Sequence, residues 1–115
     1  MGRWGRIRRE KPNKFSAVKQ TYNGCSYDSK KEAEYAKKLD WMKKGNLVMK
    51  WERQHKIEVR VEGVHICNYY IDFKVYFING SVEYHEVKGY STDVWRLKWK
   101  LAKACYPNRI FKLIK

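Results

Sequence analysis

The sequence predicts an α/β fold of α+β-like character, in which a central mixed sheet is flanked by helices. Two segments with helical spacing of apolar residues, 29–44 and 91–106, enclose a stretch that alternates as strands do. A short apolar segment, 109–115, completes the order helix, three strands, helix, strand, and a hairpin turning at Asn23-Gly24 precedes it. Because 115 residues with 43% hydrophobic content suffice for one modest core, residues 15–115 are predicted to form a single domain.

The first helix is predicted to begin at Ser29 and to end before Gly45. Ser29 followed by Glu32 has the form of a capping box, and glycine is a common residue just after a helix. At about 100° per residue, Glu32 lies within about 20° of the apolar Leu39, whereas Glu34 points about 200° away from Glu32. Glu32 is therefore predicted to point inward, although closing the capping box alone would also explain it.

Positive charge dominates the chain and predicts a polyanionic partner. Lysine and arginine number 26 against 12 acidic residues, giving a formal net charge of +14, so nucleic acid is the first candidate. Residues 1–14 are predicted to be a flexible basic arm, whose predicted DNA contacts are Arg3, Arg6, Arg8 and Arg9. No apolar run reaches the length of a membrane span, and three widely spaced cysteines favour a reducing compartment, so we expect a cytoplasmic protein without a membrane partner.

The second helix is predicted to pack through an apolar stripe and to expose a basic ridge. The stripe is Val94, Leu97, Leu101 and Ala104, and the ridge is Arg96, Lys100 and Lys103. In so basic a chain the ridge is predicted to contact DNA phosphates, with an ordinary solvated helix face as the alternative.

Asp72 and the segment Glu86-Val87-Lys88 are the residues most typical of a catalytic site. Side chains alternate along a strand, so Glu86 and Lys88 project from one face and Val87 from the other. Two carboxylates beside an ammonium group suit Mg²⁺-dependent attack on a phosphodiester. An ordinary ion pair between Glu86 and Lys88 on one strand face is the alternative.

The register of the hairpin decides whether these side chains meet, because a slip of one residue moves a side chain to the other face. With a two-residue Asn79-Gly80 turn, Asp72 would lie opposite Val87, and the two carboxylates would fall on opposite faces. With a three-residue loop in which Gly80 forms a bulge, Asp72 lies opposite Glu86. We predict the bulged loop, or an equivalent bulge near Asp72.

The motifs together resemble those of a known nuclease superfamily. They are Ser29-Lys30-Lys31-Glu32-Ala33-Glu34, Tyr70-Ile71-Asp72-Phe73 and Glu86-Val87-Lys88-Gly89, on a helix, three strands, helix, strand order. This set resembles the PD-(D/E)XK nuclease superfamily, and within it the small phage and archaeal Holliday junction resolvase-like enzymes. The resemblance covers roughly residues 15–115 and implies a restriction-endonuclease-like core. It departs from the family name at Ile71, where the name has proline.

The resemblance implies a metal-dependent DNA endonuclease, most specifically a resolvase that hydrolyses phosphodiesters in four-way junctions. Mg²⁺ is the implied cofactor, with Mn²⁺ able to substitute, and the two-fold symmetry of a junction implies a homodimer. The implied metal ligands are Asp72, Glu86, the carbonyl of Val87, and Glu32 directly or through water. Lys88 is implied to orient or activate the attacking water.

Two further residues are predicted to support the site. Gln54, at the end of the preceding strand, resembles a glutamine often found beside such sites, and Lys98 on the second helix is predicted to reach the active-site phosphate. Two other functions remain open at this point: a general or nicking endonuclease of the same superfamily, and a basic module that binds nucleic acid without catalysis.

Overall fold

The structure, a computed structural model, describes residues 20–22, 25–27, 29–88 and 91–115. Contacts divide the chain into two compact units, one ending at Lys37 and the other formed by Lys38–Lys115. The predicted arm lies outside the described residues, and with it the predicted DNA contacts Arg3, Arg6, Arg8 and Arg9.

The first unit contains a short hairpin and the start of a helix. Strand β1 (Gln20–Tyr22) pairs antiparallel with β2 (Cys25–Tyr27), which confirms the predicted hairpin, although its turn at residues 23–24 lies outside the described part. Helix α1 (Lys30–Lys44) begins where the capping box predicts, and the Ser29 hydroxyl accepts the backbone N–H of Glu32 at 3.2 Å.

The predicted orientation of α1 is confirmed. Glu32 is 9% exposed and Leu39 is fully buried, whereas Glu34 faces solvent. The helix ends at Lys44, and the backbone N–H of Gly45 still donates to the carbonyl of Trp41 at 3.0 Å.

The second unit contains a four-stranded mixed sheet. Its strands, in sheet order, are β3 (Val48–Val61), β4 (Val64–Phe77), β5 (Val82–Val87) and β6 (Ile110–Ile114). Neighbours are antiparallel except β6, which lies parallel to β5 and follows helix α2 (Asp93–Cys105). Over the described residues the protein is thus α+β, with the predicted element order. None of the described helices has the length and apolar composition needed to cross a membrane.

Helix α2 packs on the sheet through a different face from the one predicted. Ala102 is fully buried in a cluster with Ile57, Val59, Tyr69, Ile71 and Tyr84, and Trp95 and Trp99 pack against that cluster. The predicted stripe is wrong for three of its four residues, because Val94 is 50% exposed, Leu97 is 59% exposed and Ala104 is exposed, and only Leu101 packs against the cluster. Both faces have helical spacing, but the two indoles offer more apolar area to bury, so the tryptophan face turns to the sheet.

The loop between β4 and β5 is the predicted three-residue loop. The N–H of Phe77 donates to the carbonyl of Ser81 at 2.9 Å, and the N–H of Gly80 donates to the carbonyl of Phe77 at 3.0 Å. Gly80 has a φ of 94°, as a bulge residue in the left-handed region requires. The ladder pairs Phe73 with His85, so the next pair in register is Asp72 with Glu86, as predicted.

Candidate active site

The alternation of β4 breaks next to Asp72. Ile71 belongs to the cluster around Tyr84, and the ammonium of Lys74 lies 5.6 Å from the centroid of the same Tyr84 ring. Residues three apart in a regular strand face opposite sides, so β4 changes faces between Ile71 and Lys74. On β3 the residue in register with Asp72 is Gln54, which has a left-handed φ of 54° and lies in the middle of the strand, not at its end as predicted. Both strands are therefore irregular at the same position of the β3–β4 ladder.

Asp72 lies at this irregular level and is only 7% exposed. Its Oδ2 accepts the backbone N–H of Val87 at 2.8 Å, and the side-chain amide of Gln54 donates to its Oδ1 at 3.5 Å. The backbone N–H of Asp72 donates to Oε1 of Glu86 at 3.4 Å. Asp72 thus connects the predicted support residue on β3 with the predicted motif on β5.

Glu86 is 4% exposed and has three further neighbours in the site. The Tyr69 hydroxyl donates to its Oε1 at 2.8 Å, and the indole N–H of Trp95 donates to the Tyr69 oxygen at 3.2 Å. The ammonium of Lys88 lies 3.7 Å from Oε2 and 4.8 Å from the centroid of the Trp95 ring. Glu86 and Tyr84 lie two residues apart on β5 and therefore project from the same face of the sheet. In a regular β4, Tyr69 would project from the opposite face, so its contact with Glu86 depends on the break in β4.

The site has unusual electrostatics for so basic a chain. Burial raises the pKa of Glu86 above its usual value, and the hydrogen bond from Tyr69 and the charge of Lys88 oppose this rise without cancelling it. Burial and the adjacent Glu86 raise the pKa of Tyr69 well above its usual range, so Tyr69 is a neutral hydrogen-bond donor. A buried carboxylate is costly without compensation, so these surroundings favour a further cation beside Glu86.

The second unit brings together Gln54, Asp72, Glu86, Val87 and Lys88, which are five of the predicted site residues. Over the described residues, no three His, Cys, Asp or Glu side chains are grouped so as to hold a metal ion. The carboxylate pair of Asp72 and Glu86 is therefore the candidate ligand set, and the role of the Val87 carbonyl stays a prediction.

Two further predicted site residues stay predictions. Glu32 belongs to the first unit and is buried, and its role as a ligand is still to be tested. Lys98 is half-buried on α2, where its predicted contact with a phosphate is likewise a prediction.

The predicted basic ridge is exposed, but its members differ in their surroundings. Arg96 donates to the Ser91 hydroxyl at 3.0 Å and pairs with Asp93, so it fixes the residues that open α2. The ammonium of Lys103 lies 5.2 Å from the Trp99 ring centroid. Lys100 is exposed on the same helix, and DNA contact by all three ridge residues stays a prediction.

Sequence reasoning missed Tyr69 and Trp95 as parts of the site. Strict alternation assigns Tyr70, not Tyr69, to the face of Asp72, and nothing in the local sequence reveals the break that reverses this. Trp95 had a usable signal: it lies in the first turn of α2, shortly after Lys88 along the chain. A helix that follows a strand so closely begins near the end of that strand.

Comparison with known proteins gives a family and no activity. Residues 12–115 match the family described as "Protein of unknown function (DUF1064)". No curated protein and no solved structure matches the chain. Since the match covers the helices, the sheet and every residue of the candidate site, the chain belongs to the DUF1064 family.

Proposed function

We propose that this protein is a Mg²⁺-dependent DNA endonuclease of the PD-(D/E)XK type with a restriction-endonuclease-like core. The observation that carries the proposal is the meeting of two buried carboxylates, Asp72 and Glu86, with the ammonium of Lys88. The chain has a net charge of +14, and two buried acidic groups at this site do not help it to attract a polyanion. A role in holding a cation explains them better.

The donor set fits Mg²⁺. This ion is usually held by one or two carboxylates, keeps several waters, and takes further oxygen ligands from substrate phosphates. Asp72 and Glu86 supply two carboxylates on adjoining strands, and Glu32 is proposed as a further ligand, directly or through water. A structural zinc site needs four protein ligands, and this pair of carboxylates supplies only two. Mn²⁺, which accepts the same oxygen ligands, is expected to substitute.

Each residue has a distinct role in the proposed reaction. When bound, the metal would lower the pKa of a water and offset the charge that develops on the phosphate. Lys88 provides a mobile cation close to Glu86 and orients the attacking water. Tyr69 holds Glu86 through a neutral hydrogen bond, and Gln54 does the same for Asp72. These two contacts limit the freedom of the ligands before the metal arrives.

The proposed substrate is branched DNA, specifically a four-way junction. The predicted contacts on α2 and in the N-terminal arm would bind backbone phosphates, which carry no sequence information. Because a junction has approximate two-fold symmetry, we propose that a homodimer makes the paired cuts. Such a protein would act in the cytoplasm, where it meets replicating or recombining DNA.

A cleavage assay on a four-way junction with Mg²⁺ tests the proposal. Wild type is expected to cut, and Asp72→Asn, Glu86→Gln and Lys88→Ala are each expected to lower the rate by at least about 100-fold, since each removes a charge from the site. The matched control is Glu83→Gln, which changes a carboxylate on the same strand that instead contacts His85 and Lys112. The control is expected to cut at close to the wild-type rate.

Two outcomes would change the proposal. If wild type binds the junction but cuts nothing with Mg²⁺ or Mn²⁺, a basic module that binds nucleic acid without catalysis replaces it. If linear duplex is cut as fast as the junction, the chemistry stands and the resolvase assignment gives way to a general or nicking endonuclease.

A further inference from the structure

A small cavity opens beside the candidate active site. It has a volume of about 190 Å³ and is lined by Lys88, Ser91, Trp95, Leu113 and Lys115. Two of these residues also belong to the candidate active site. The ammonium of Lys88 lies 3.7 Å from Glu86, and the indole N–H of Trp95 donates a hydrogen bond to Tyr69. In the β5–β6 register, Leu113 lies opposite Glu86. The cavity is therefore next to the carboxylates and on the side of α2 and β6.

Two of the five side chains that line the cavity are lysines, and none of the five is acidic. Lys88 and Lys115 supply two ammonium groups from different strand ends, and Ser91 supplies a hydroxyl. The Ser91 oxygen accepts an N–H from Arg96 at 3.0 Å, so its own O–H can be donated to a ligand. Such donors bind an anion that has several acceptor oxygens, as a phosphate has.

The aromatic ring in the cavity wall already has two close neighbours. Trp99 stacks on Trp95 with centroids 5.5 Å apart, and Lys88 lies over the Trp95 ring at 4.8 Å from its centroid. A base that stacked on Trp95 would compete with these two contacts. Trp95 and Leu113 are the apolar residues of the lining, and they suit contact with a deoxyribose.

The volume limits the size of the ligand. Sites for drug-sized molecules enclose about 300–1,000 Å³, so a cavity of about 190 Å³ accepts one small group. A phosphate with part of its attached sugar is such a group.

We propose that this cavity binds the backbone phosphate of the DNA strand next to the phosphate that is cut. The proposal rests on the proposed function and adds Ser91 and Lys115 as binding residues. Lys88 then lies between the two phosphates, near Glu86 on one side and in the cavity wall on the other. Because no base stacks there, this contact reads the backbone and is independent of sequence.

The test is an NMR titration of the full chain without divalent metal, so that it does not depend on cleavage. Three probes are added separately: thymidine 5′-monophosphate, inorganic phosphate and thymidine. The two phosphate probes are expected to shift the signals of Ser91, the Trp95 indole N–H and Lys115, and thymidine is expected to leave them in place.

Two variants assign the binding to the cavity. Lys115→Ala is expected to weaken thymidine 5′-monophosphate binding about fivefold, the size expected for one partly exposed charged contact. Lys112→Ala is the matched control, because Lys112 lies on the same strand and pairs with Glu83 outside the cavity. It is expected to change binding by less than about twofold.

Any of three results would overturn the inference: no shift at the cavity residues with either phosphate probe, equal shifts with thymidine, or equal effects of the two lysine variants. None of these results bears on whether a junction is cleaved. Conversely, shifts at the cavity in a protein that cuts no DNA would keep the phosphate site and reject the proposed nuclease.

Discussion

Gln54 holds an unfavourable backbone conformation in the middle of β3. Its φ of 54° lies in the left-handed region, which costs a non-glycine residue roughly 1–2 kcal/mol. Such outliers persist where the surrounding structure enforces them, and they are common at functional sites. Here the conformation accompanies the change of faces on β4 and brings the Gln54 amide 3.5 Å from Asp72.

Two substitutions of Gln54 distinguish the effect of its strained backbone from the effect of its side-chain amide. Gln54→Gly removes the left-handed penalty and adds about 0.5–1 kcal/mol of glycine entropy, so its free energy of unfolding is expected to equal that of wild type or to exceed it by up to about 1.5 kcal/mol. Gln54→Val, with a β-branched side chain at positive φ, is expected to lose more than about 1 kcal/mol. Urea denaturation of both variants measures these changes.

The same pair of variants bears on the reaction. Gln54→Gly is expected to cleave DNA more slowly despite its stability, because the amide that holds Asp72 is gone. A strong loss of stability in Gln54→Gly, or equal stability of the two variants, would contradict the strain at this residue.

At the scale of single residues, the sequence predicts the charged residues of the candidate site but not the neighbours that hydrogen-bond to them. Asp72, Glu86 and Lys88 could be found because carboxylates are rare in strands and their spacing fits a hairpin. Tyr69 could not be found, because its contact with Glu86 depends on a break in alternation that arises from the pairing of β3 with β4. That break is a property of two strands together and leaves no local signature.

The loop between β4 and β5 determines the site at the scale of elements. A three-residue loop sets Asp72 opposite Glu86, and a two-residue turn would set it opposite Val87. Gly80, with a φ of 94°, is the residue that makes the longer loop favourable. Its backbone conformation is therefore coupled to a site that lies at the other end of the ladder.

Gly80→Ala is expected to destabilise the protein by about 1–2 kcal/mol, because a Cβ is unfavourable at this φ even though it meets no atom within 4 Å. Gly45→Ala is the matched control, since its Cβ would meet only ordinary contacts at 3.6 and 3.8 Å and its φ is not left-handed. Thermal unfolding of both variants gives the comparison. Equal unfolding temperatures would contradict the role given to Gly80.

Element boundaries and the hairpin register followed from local signals, whereas the buried face of α2 did not. Capping residues, glycines and alternation act within a few positions, so each helix end and strand could be read directly. Helix α2 carries two apolar faces with the same spacing, one through Leu97 and one through Trp99. The shape of the sheet surface around Tyr69 determines which face is buried. The spacing of apolar residues along the helix carries no information about that shape.

Net charge acts at the scale of the whole molecule. A charge of +14 attracts any nucleic acid, so the proposed enzyme combines unspecific attraction with a small anionic centre at Asp72 and Glu86. The metal would reconcile the two, because it offsets the carboxylates where the phosphate must approach.

Removing residues 1–14 is expected to reduce the salt dependence of DNA binding. This segment holds Arg3, Arg6, Arg8, Arg9, Lys11 and Lys14. Each phosphate contact that is lost should lower the slope of log K against log salt by about 0.9 for duplex DNA. Binding isotherms at several salt concentrations measure the slope. An unchanged slope after truncation would show that the arm makes no contact with DNA.

The central claim is that Asp72 and Glu86 hold a divalent cation, and crystals soaked in Mn²⁺ test it most directly. The account predicts anomalous density between the two carboxylates, at roughly the 2.0–2.1 Å from their oxygens that is typical of Mg²⁺. Crystals of Glu86→Gln, soaked in the same way, are expected to lack it. Wild-type crystals without density at this position, or with density only at surface histidines such as His65, would contradict the account.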